Sequence, residues 1–282
     1  MDPMVATSIQ TALSTRVFGC RLVYLSSTRS TNDVAKGTAA QGAPEGTVIL
    51  AEEQSAGRGR LGRRWLAPPG TCILCSILFR PDLPPTQAQR LTMLCSLAAA
   101  DAIAQVAGLQ VSIKWPNDLV VKSPISNLQS PIPTLHSPSW KKLAGVLTET
   151  GLTGERLDFA VVGIGINVNV EPEVLPTLAP DATSILAETG RPVDRVALLA
   201  ALLGGVERRY GALQAGVSPH REWAARLATL GQPVEVTTSE GALRGVAESV
   251  NEDGALVLRT PGGALRRLLA GDVTLARRSD EV

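Results

Sequence analysis

Residues 57–65 form the stretch of this sequence with the clearest potential for chemistry. The stretch reads Gly-Arg-Gly-Arg-Leu-Gly-Arg-Arg-Trp and so contains four arginines and three glycines. Glycine lets backbone N–H groups approach a ligand closely, and the planar guanidinium group of arginine donates paired hydrogen bonds to phosphate and carboxylate oxygens. We call these residues the arginine loop. Their composition predicts an anion site, and a ligand with phosphates fits it best.

Three other interpretations of the arginine loop can be weighed against this one. Its glycines have the Gly-x-Gly-x-x-Gly spacing of a dinucleotide fingerprint, but that fingerprint opens a helix, and the Pro-Pro-Gly at 68–70 disfavours a helix here. No Lys-Ser or Lys-Thr pair follows the glycines at the spacing of a P-loop. A solvated basic turn without any ligand stays open from this stretch alone.

Two other short motifs carry polar side chains that can reach a ligand. Ser30, Thr31 and Asn32 stand where a helix is expected to begin, so their side chains either cap that helix or contact a ligand, and capping is favoured from these residues alone. Asn117 and Asp118 end a Pro-Asn-Asp turn between two expected strands. Such a turn is common in its own right, but its amide and carboxylate also suit the polar groups of a nucleotide and Mg²⁺.

Two polar residues interrupt otherwise apolar strands. Lys142 opens the expected strand 141–149, where a lysine either keeps a sheet edge soluble or meets a carboxylate or phosphate. Asn167 lies in the run 159–170, which is rich in β-branched residues and glycine. This run predicts a buried central strand whose glycines leave room for a flat ligand, and a buried Asn167 needs a hydrogen-bond partner.

Cysteine and histidine do not form a recognisable metal site. Cys72 and Cys75 have the C-x-x-C spacing, but they lie in an expected strand, where residues three apart point to opposite faces. Cys20 and Cys95 stand alone, and the chain has two histidines. We therefore expect buried structural cysteines rather than a metal cluster.

The overall composition limits the class of protein. The chain has 282 residues, enough for one large and one smaller domain, and its 27 Lys and Arg against 26 Asp and Glu give a net charge of +1. This balance argues against a general nucleic-acid coat. No early apolar run has the form of a signal peptide and none is long enough to span a membrane, so we expect a cytoplasmic protein.

Hydrophobic periodicity predicts the elements that position these motifs. The expected strands cover 22–25, 46–53, 71–80, 111–115, 119–122, 141–149 and 159–170. The expected helices cover about 30–40, 87–106, 193–213 and 221–230. The arginine loop then connects two strands that are expected to be neighbours in the sheet. This position suits a lid over the sheet.

Changes in composition and hydrophobic pattern along the sequence divide the chain into segments. Residues 1–21 show little pattern and are expected to form an N-terminal arm, and residues 22–230 form the main domain. Residues 123–139 are rich in proline and serine and nearly free of charge, which predicts a solvated loop or disordered insertion. From residue 231 to 282, short alternating strands separated by glycine turns predict a small β-barrel.

Taken in order, the motifs resemble those of the biotin protein ligase family, also called biotin–[acetyl-CoA-carboxylase] ligase. The resemblance starts at about residue 22 and runs to the C-terminus. It rests on five segments: Ser-Thr-Asn at 30–32, Gln54 with the arginine loop, Lys-Trp-Pro-Asn-Asp-Leu at 114–119, Lys-Leu-Ala-Gly at 142–145 and the glycine-rich strand at 163–167. The segment 123–139 departs from the family pattern. No helix-turn-helix domain precedes residue 22, so the resemblance implies a ligase that does not bind DNA.

The resemblance implies an α+β fold. Residues 22–230 would form the mixed-sheet, class II synthetase-like biotin/lipoate ligase catalytic domain, and residues 231–282 a C-terminal SH3-like β-barrel. The implied biotin-binding residues are Ser30, Thr31, Gln54, Arg58, Arg60 and Lys142. The implied residues for ATP and the adenylate are Gly57, Arg58, Gly59, Arg60, Arg63, Trp65, Asn117, Asp118 and Asn167. Lys142 and Arg60 would be catalytic, and Asp118 would bind Mg²⁺.

The implied reaction has two steps. ATP, with Mg²⁺, activates biotin as biotinoyl-5′-AMP, and a lysine of the biotin carboxyl carrier protein of acetyl-CoA carboxylase then takes the acyl group. No enzyme nucleophile is needed. A homodimer is plausible from the family, and no membrane partner is expected. Two alternatives stay open: a lipoate–protein ligase with the same fold, which the arginine loop disfavours, and a regulator that binds biotin or nucleotide without catalysis.

Overall fold

The computed structural model describes residues 6–122, 140–239 and 241–275. The insertion predicted at 123–139 therefore lies outside the described residues. Within them, the larger sheet consists of seven strands: β1 (Leu22–Leu25), β2 (Val48–Ala51), β3 (Cys72–Phe79), β4 (Ser112–Lys114), β5 (Asp118–Lys122), β6 (Trp140–Thr153) and β7 (Arg156–Asn167). Their spatial order is β1-β2-β3-β7-β6-β5-β4.

The sheet is mixed, as the sequence predicts. β1 and β2 run parallel, and all other neighbouring pairs are antiparallel. All residues of β2 and β3 are buried, because helices cover both faces of the sheet at its centre. Helices α3 (Gln89–Ala107) and α6 (Arg195–Gln214) pack on one face, and α2 (Thr31–Ala40) packs on the other.

The N-terminal segment, expected as an arm, is part of the packed fold. Helix α1 (Ala6–Ala12) buries Ile9, and the loop that follows buries Phe18. The Phe18 ring lies 5.2 Å from the ring of Phe79 and 5.5 Å from that of Tyr210, centroid to centroid. Ile9 and Leu13 have the four-residue spacing of one helix face, but so short a segment offers too few apolar positions to tell a helix from an irregular arm.

The stretch Pro85–Ala107, which contains α3, has 23 residues and is long and apolar enough to span a membrane by length and composition. The sequence prediction that no such run exists was therefore wrong. Its apolar window is 72% buried inside the fold, against the sheet and α6. The described part of the chain thus uses this helix as a core element.

The smaller sheet forms the C-terminal part of the structure. It consists of five described strands, β8 (Pro233–Thr238), β9 (Gly241–Val250), β10 (Leu256–Arg259), β11 (Leu265–Leu268) and β12 (Asp272–Leu275). Their order is β11-β10-β9-β8-β12, and all pairs are antiparallel. Its core continues into the larger domain through Trp115 and Trp223, and Trp115 Nε1 donates a hydrogen bond to Gly254 O at 2.8 Å. The smaller sheet therefore packs through its own apolar cluster on α3, on the edge strand β4 and on residues 223–227 of the larger domain.

Three short helices complete the fold: α4 (Leu175–Leu178), α5 (Ile185–Thr189) and α7 (His220–Ala225). The helix expected at 221–230 thus ends early. After α7 the chain pairs with the edge of the larger sheet, because Ile113 N donates to Arg226 O at 2.9 Å and Ala228 N donates to Ile113 O at 2.8 Å. Strand pairing with β4 replaces the last helical turn that the apolar spacing predicts.

Candidate active site

The predicted site residues surround one cavity of about 320 Å³ on a face of the larger sheet. The arginine loop, the start of α2, strands β5 to β7 and the segment 178–182 form its walls, and β12 reaches it from the smaller sheet. Ser30, Thr31, Gln54, Arg58, Gly59, Arg60, Arg63, Trp65, Asn117, Asp118, Lys142 and Asn167 all line it. Gly57 is the one predicted residue that does not.

Gly57 shapes the base of the arginine loop instead. Trp65 N donates a hydrogen bond to Gly57 O at 2.9 Å, and a Cβ on Gly57 would lie 2.6 Å from Trp65 O. The loop joins β2 and β3 as predicted, and its only helical part is a short 3₁₀ turn at Arg60–Gly62. The long helix that a dinucleotide fingerprint requires is absent from this loop, which agrees with the sequence argument against that fold.

The start of α2 is held by side chains from two other elements. Gln54 Oε1 accepts hydrogen bonds from the backbone N of Thr31 at 2.7 Å and from its hydroxyl at 3.1 Å. Ser76 on β3 donates to Thr31 Oγ1 at 2.8 Å and to Asn32 Oδ1 at 2.6 Å. Ser30 precedes the helix but makes no capping hydrogen bond with its side chain. The favoured interpretation of Ser30 as a cap was therefore wrong, and its buried hydroxyl lines the cavity.

Arg58 is bound by two carboxylates of the protein. Its guanidinium donates to both oxygens of Asp33 at 2.6 and 2.7 Å and to Glu149 Oε2 at 3.0 Å. The hydrogen bonds from Arg58 lower the pKa of the Asp33 carboxyl despite partial burial. Arg58 therefore braces the arginine loop against α2 and β6, and these carboxylates compensate its charge.

Arg60 points into the cavity with much less compensation. Its Nη1 donates to Gly271 O at 3.1 Å and reaches Asn117 Oδ1 at 3.5 Å. Among the residues that the structure describes, no carboxylate lies within ion-pair distance of it. Burial lowers its pKa, while the charges of Asp118 and Asp272 act in the opposite direction. Because guanidinium keeps its proton even so, Arg60 brings a fixed positive charge to the cavity.

Lys142 lines the same cavity as Arg60, but it extends from the larger sheet rather than from the arginine loop. Its Nζ lies 2.8 Å from Asp118 Oδ1 on the neighbouring strand β5 and 5.7 Å from the centre of the Trp65 ring. The solubilising role considered for this lysine does not fit, because its ammonium group is turned toward the cavity. Lys141 fits that role better, since its side chain is 47% exposed and its Nζ lies 3.9 Å from Glu188.

The glycine positions of the central strands are covered by the protein's own side chains. A Cβ on Gly165 would lie 2.6 Å from the indole of Trp65, and one on Gly145 would lie 3.3 Å from it. A Cβ on Gly163 would lie 2.3 Å from Asn32 Oδ1. The flat group predicted to lie against these backbones is, in this structure, Trp65. Its buried Nε1 has no hydrogen-bond partner among the described residues.

Asn167 finds partners within the protein. It is buried, its Nδ2 donates to Thr183 O at 2.9 Å, and its Oδ1 accepts a weak hydrogen bond from the Cys72 thiol at 3.7 Å. These contacts meet the need for a partner that the sequence predicts. The side chain still lines the cavity beside Gly165.

The prediction of buried cysteines is confirmed for Cys72, Cys75 and Cys95, whereas Cys20 is exposed. All four cysteines are free. Burial raises the pKa of the Cys72 thiol to about 11 and that of Cys75 to about 12. No group of three or more potential metal ligands occurs among the described residues.

One buried arginine outside the cavity fixes both ends of the segment that carries the arginine loop. Arg195, at the start of α6, donates from Nη1 to Glu52 Oε2 at 2.8 Å and to Cys72 O at 3.1 Å. Glu52 follows β2 and Cys72 begins β3. Tyr24 donates to the other oxygen of Glu52 at 3.0 Å. Arg195 therefore ties together the end of β2 and the start of β3, between which the arginine loop lies.

We expect Arg195→Lys to lower the free energy of unfolding by about 1–3 kcal/mol, because a lysine keeps the charge but loses the two-nitrogen contact of the guanidinium with both Glu52 oxygens, at 2.8 and 3.3 Å. Urea unfolding measures this change. Arg191→Lys is the matched control, because Arg191 is exposed and makes one hydrogen bond, to Ala107 O at 3.3 Å. Equal stability of the Arg195→Lys protein and the unchanged protein would contradict this role of Arg195.

Sequence reasoning missed the residues of β12 that reach the cavity. Asp272 and Thr274 on β12 line the cavity, and the Asp272 carboxylate pairs with Arg63 of the arginine loop. Asp181 and the apolar Leu178 were also missed on the opposite wall. Nothing in the local sequence around these residues differs from an ordinary strand or turn, so no signal was available. Lys114 was part of a recognised motif, but it had no assigned role.

Comparison with known proteins defines the class. Residues 24–167 match the model of the Biotin/lipoate A/B protein ligase family, and residues 229–275 match that of the Biotin protein ligase C terminal domain. The chain therefore belongs to the biotin/lipoate A/B protein ligase family. The second match also agrees with the small C-terminal domain expected from the resemblance, and the mixed sheet with helices on both faces confirms the α+β fold.

The similar proteins are biotin ligases. The chain is 32% identical over 272 residues to the bifunctional ligase/repressor BirA of Bacillus subtilis, covering 95% of this chain and 78% of that protein. It is also 32% identical over 264 residues to the biotin–[acetyl-CoA-carboxylase] ligase of Mycobacterium tuberculosis, covering 91% and 90%. The Aquifex aeolicus biotin protein ligase in complex with biotin and ATP superposes with a TM-score of 0.71 at 27% identity, covering 92% of this chain and 99% of that one.

Proposed function

We propose that this cavity activates the carboxylate of biotin with ATP to give biotinoyl-5′-AMP, and that the protein then transfers the biotinyl group to a lysine of a biotin carboxyl carrier protein. The observation that carries the proposal is that Lys142, from the sheet, and Arg60, from the loop, bring positive charge to the same cavity. Relatives named as biotin ligases, and a structural relative that binds biotin and ATP, support the choice of substrates.

The first step joins two anions, and this sets what the protein has to supply. A carboxylate oxygen of biotin attacks the α-phosphorus of ATP, the new C–O–P anhydride forms, and pyrophosphate leaves with the electron pair of the broken P–O bond. Lys142 and Arg60 stabilise the negative charge that develops on the phosphoryl oxygens, and they reduce the repulsion between the reactants. Positioning and charge are sufficient, because the carboxylate is itself the nucleophile.

The start of α2 is the proposed site for the polar ring of biotin. Thr31 and Gln54 are already joined by hydrogen bonds, and Ser30 adds a second hydroxyl at the same wall. Hydroxyl and amide groups fixed in this way can donate to the ureido oxygen and accept from its N–H groups without further ordering. Arg58 lies at this end of the cavity. Because its two carboxylate partners compensate its charge, its proposed role is to shape the wall of the cavity rather than to bind an anion.

The indole of Trp65, which covers Gly145 and Gly165, is the proposed stacking surface for adenine. Asn167 supplies an amide beside it. Gly57 and Gly59 keep the loop close to this surface. Arg63, whose carbonyl accepts from Gly59 N across the loop, is the proposed contact for the phosphates beyond the α-phosphate.

The residues present fit Mg²⁺ bound together with ATP. Mg²⁺ usually takes one or two protein carboxylates and completes its shell with phosphate oxygens and water. Asp118 lines the cavity next to Asn117, and it is the proposed ligand. When bound, the ion supplies positive charge to the phosphates. Asp118 also orients the ammonium of Lys142, which lies 2.8 Å from its Oδ1.

The second step needs an acceptor and a dry cavity. The ε-amine of the acceptor lysine attacks the acyl carbon, the amide forms, and AMP leaves. The arginine loop would keep water from the anhydride until that lysine arrives. The division at residues 21/22 and 230/231, a cytoplasmic location, a homodimer and the absence of DNA binding stay predictions. A lipoate–protein ligase and a non-catalytic regulator remain the alternatives.

Transfer to a carrier domain tests the proposal. Purified protein, ATP, Mg²⁺ and biotin should increase the mass of a biotin carboxyl carrier domain by one biotinyl group, and the same domain with its acceptor lysine changed to arginine should not react. Lipoate in place of biotin should give no product. Binding of biotin and ATP without transfer would favour the regulator, and transfer of lipoate alone would favour the lipoate ligase.

A further inference from the structure

The smaller sheet contributes to the cavity a carboxylate for which the proposed reaction has no use. Asp272 opens β12, and its carboxylate forms an ion pair with Arg63 of the arginine loop. The preceding residue, Gly271, accepts the hydrogen bond from Arg60. Two consecutive residues of the smaller sheet thus hold two arginines of the loop. A negative charge at this place is unexpected in a cavity that has to receive a triphosphate.

Asp272 lies where the cavity is most strongly cationic. Partial burial raises the pKa of its carboxyl, but the hydrogen bond and charge of Arg63, with the charges of Lys114 and Lys142, outweigh burial and lower the pKa. Lys114 and Lys142 come from β4 and β6 of the larger sheet, whereas Arg63 comes from the loop. Arg63 contacts this carboxylate directly, and the charges of two lysines act on it from the larger sheet, in a cavity that Asp118 and Asp181 also line.

The pair between Arg63 and Asp272 can be exchanged at little cost. The Arg63 side chain is 62% exposed and the Asp272 side chain is 28% exposed. An ion pair that is open to water in this way contributes about 0–1 kcal/mol to stability. A phosphate group carries more charge than a carboxylate and accepts several charge-assisted hydrogen bonds from guanidinium, so it is the stronger partner for Arg63.

We propose that the Asp272 carboxylate takes the place of a phosphate of ATP while no nucleotide is bound: it holds the arginine loop against the smaller sheet, and polyphosphate must displace it from Arg63. This inference rests on the proposed use of ATP. Asp272 is a positioning residue and a competitor of the nucleotide. Its charge therefore weakens the binding of ATP and leaves the distant biotin end of the cavity unaffected.

Asp272→Asn tests the competition, because it keeps the shape of the side chain and removes the charge. The dissociation constants of α,β-methylene-ATP and of inorganic pyrophosphate, measured by calorimetry, should each fall by about 2- to 5-fold, the effect expected of one partly exposed charge. The dissociation constant of biotin should stay unchanged. Asp272→Thr also removes the charge, and threonine is well accommodated in a β-strand. It should therefore also lower the dissociation constants of both phosphate ligands.

The matched control is Asp253→Asn. Asp253 also belongs to the smaller sheet's domain and lies 3.9 Å from Arg90 of α3 and 3.5 Å from Arg267, but it does not line the cavity. Removing its charge should leave nucleotide affinity as it is. In an Arg63→Gln background, Asp272→Asn should have a smaller effect, because the shared cation is gone.

Nucleotide affinity that is unchanged or weaker in both Asp272 variants would overturn the inference, since Asp272 would then orient Arg63 for the phosphates. These binding measurements do not need turnover. Failure of the proposed function would be seen separately, as an absence of biotin-dependent pyrophosphate release by the unchanged protein.

Discussion

Replacing Lys142 with glutamine should slow biotin-dependent pyrophosphate release by about 100- to 1,000-fold, the loss that follows removal of one preorganised group from a developing negative charge. Glutamine can still donate a hydrogen bond from a similar position, but it brings no charge. Biotin binding should change much less than the rate, because the charge matters most when the phosphoryl oxygens become more negative. Single-turnover measurements with saturating ATP separate the two effects.

Two further variants make this prediction specific. Lys141→Gln changes the adjacent residue, whose exposed side chain lies near Glu188 and not in the cavity, so it should keep the rate of the unchanged protein. Lys142→Gln also leaves Asp118 without its ammonium partner. If that unpaired carboxylate caused the loss, the double variant Lys142→Gln/Asp118→Asn would be no slower than Asp118→Asn alone. A double variant as fast as Asp118→Asn would therefore contradict direct stabilisation by Lys142.

Replacing Arg60 with glycine should release the activated intermediate. Arg60 links the loop to Gly271 O and Asn117 and directs its charge into the cavity. A hydrogen bond to a charged group contributes about 1.5–3 kcal/mol, so its loss should speed dissociation of biotinoyl-AMP by about 10- to 100-fold. Rapid filtration of enzyme loaded with labelled intermediate measures the dissociation rate. Biotinylation of unrelated proteins added to the reaction should rise in parallel.

Arg64→Gly is the control for the loss of an arginine and the gain of a flexible glycine in the same loop. Arg64 also lines the cavity, but it is exposed and its Nη2 donates at 3.3 Å to Ser55 O, just before the loop, rather than to the smaller sheet. It should retain the intermediate nearly as well as the unchanged protein. Unchanged retention in Arg60→Gly, or equal release by both variants, would contradict the assignment of this role to Arg60.

Local sequence patterns were sufficient to predict the elements around the site. Alternation and turn residues located β1, β3 and the β4–β5 hairpin to within a residue or two, and the apolar run at 159–170 contained β7 except for its first three residues. These elements form because their own residues favour them, whichever partner they meet. The same holds for the arginine loop, where the glycines and the Pro-Pro-Gly that follows at 68–70 exclude a long helix.

Contacts between distant residues could not be predicted in this way. The sequence shows that Arg58 is a cation, but not that Asp33 and Glu149 bind it. It shows that Gly165 leaves space, but not that Trp65 fills that space. Asp272 comes within reach of Arg63 because the smaller sheet packs on the larger domain around Trp115 and Trp223. Residue type sets the available chemistry, and tertiary packing decides which groups are neutralised and which face the ligand.

The central claim is that this cavity joins biotin to AMP, and the most direct measurement is the release of pyrophosphate with ATP and Mg²⁺ in the presence of biotin, lipoate or octanoate. Mass spectrometry of the same reactions identifies any acyl-adenylate. The account predicts release with biotin alone, together with biotinoyl-AMP in an amount close to that of the enzyme. Release with lipoate or octanoate but not with biotin, or binding of biotin without any release, would contradict it.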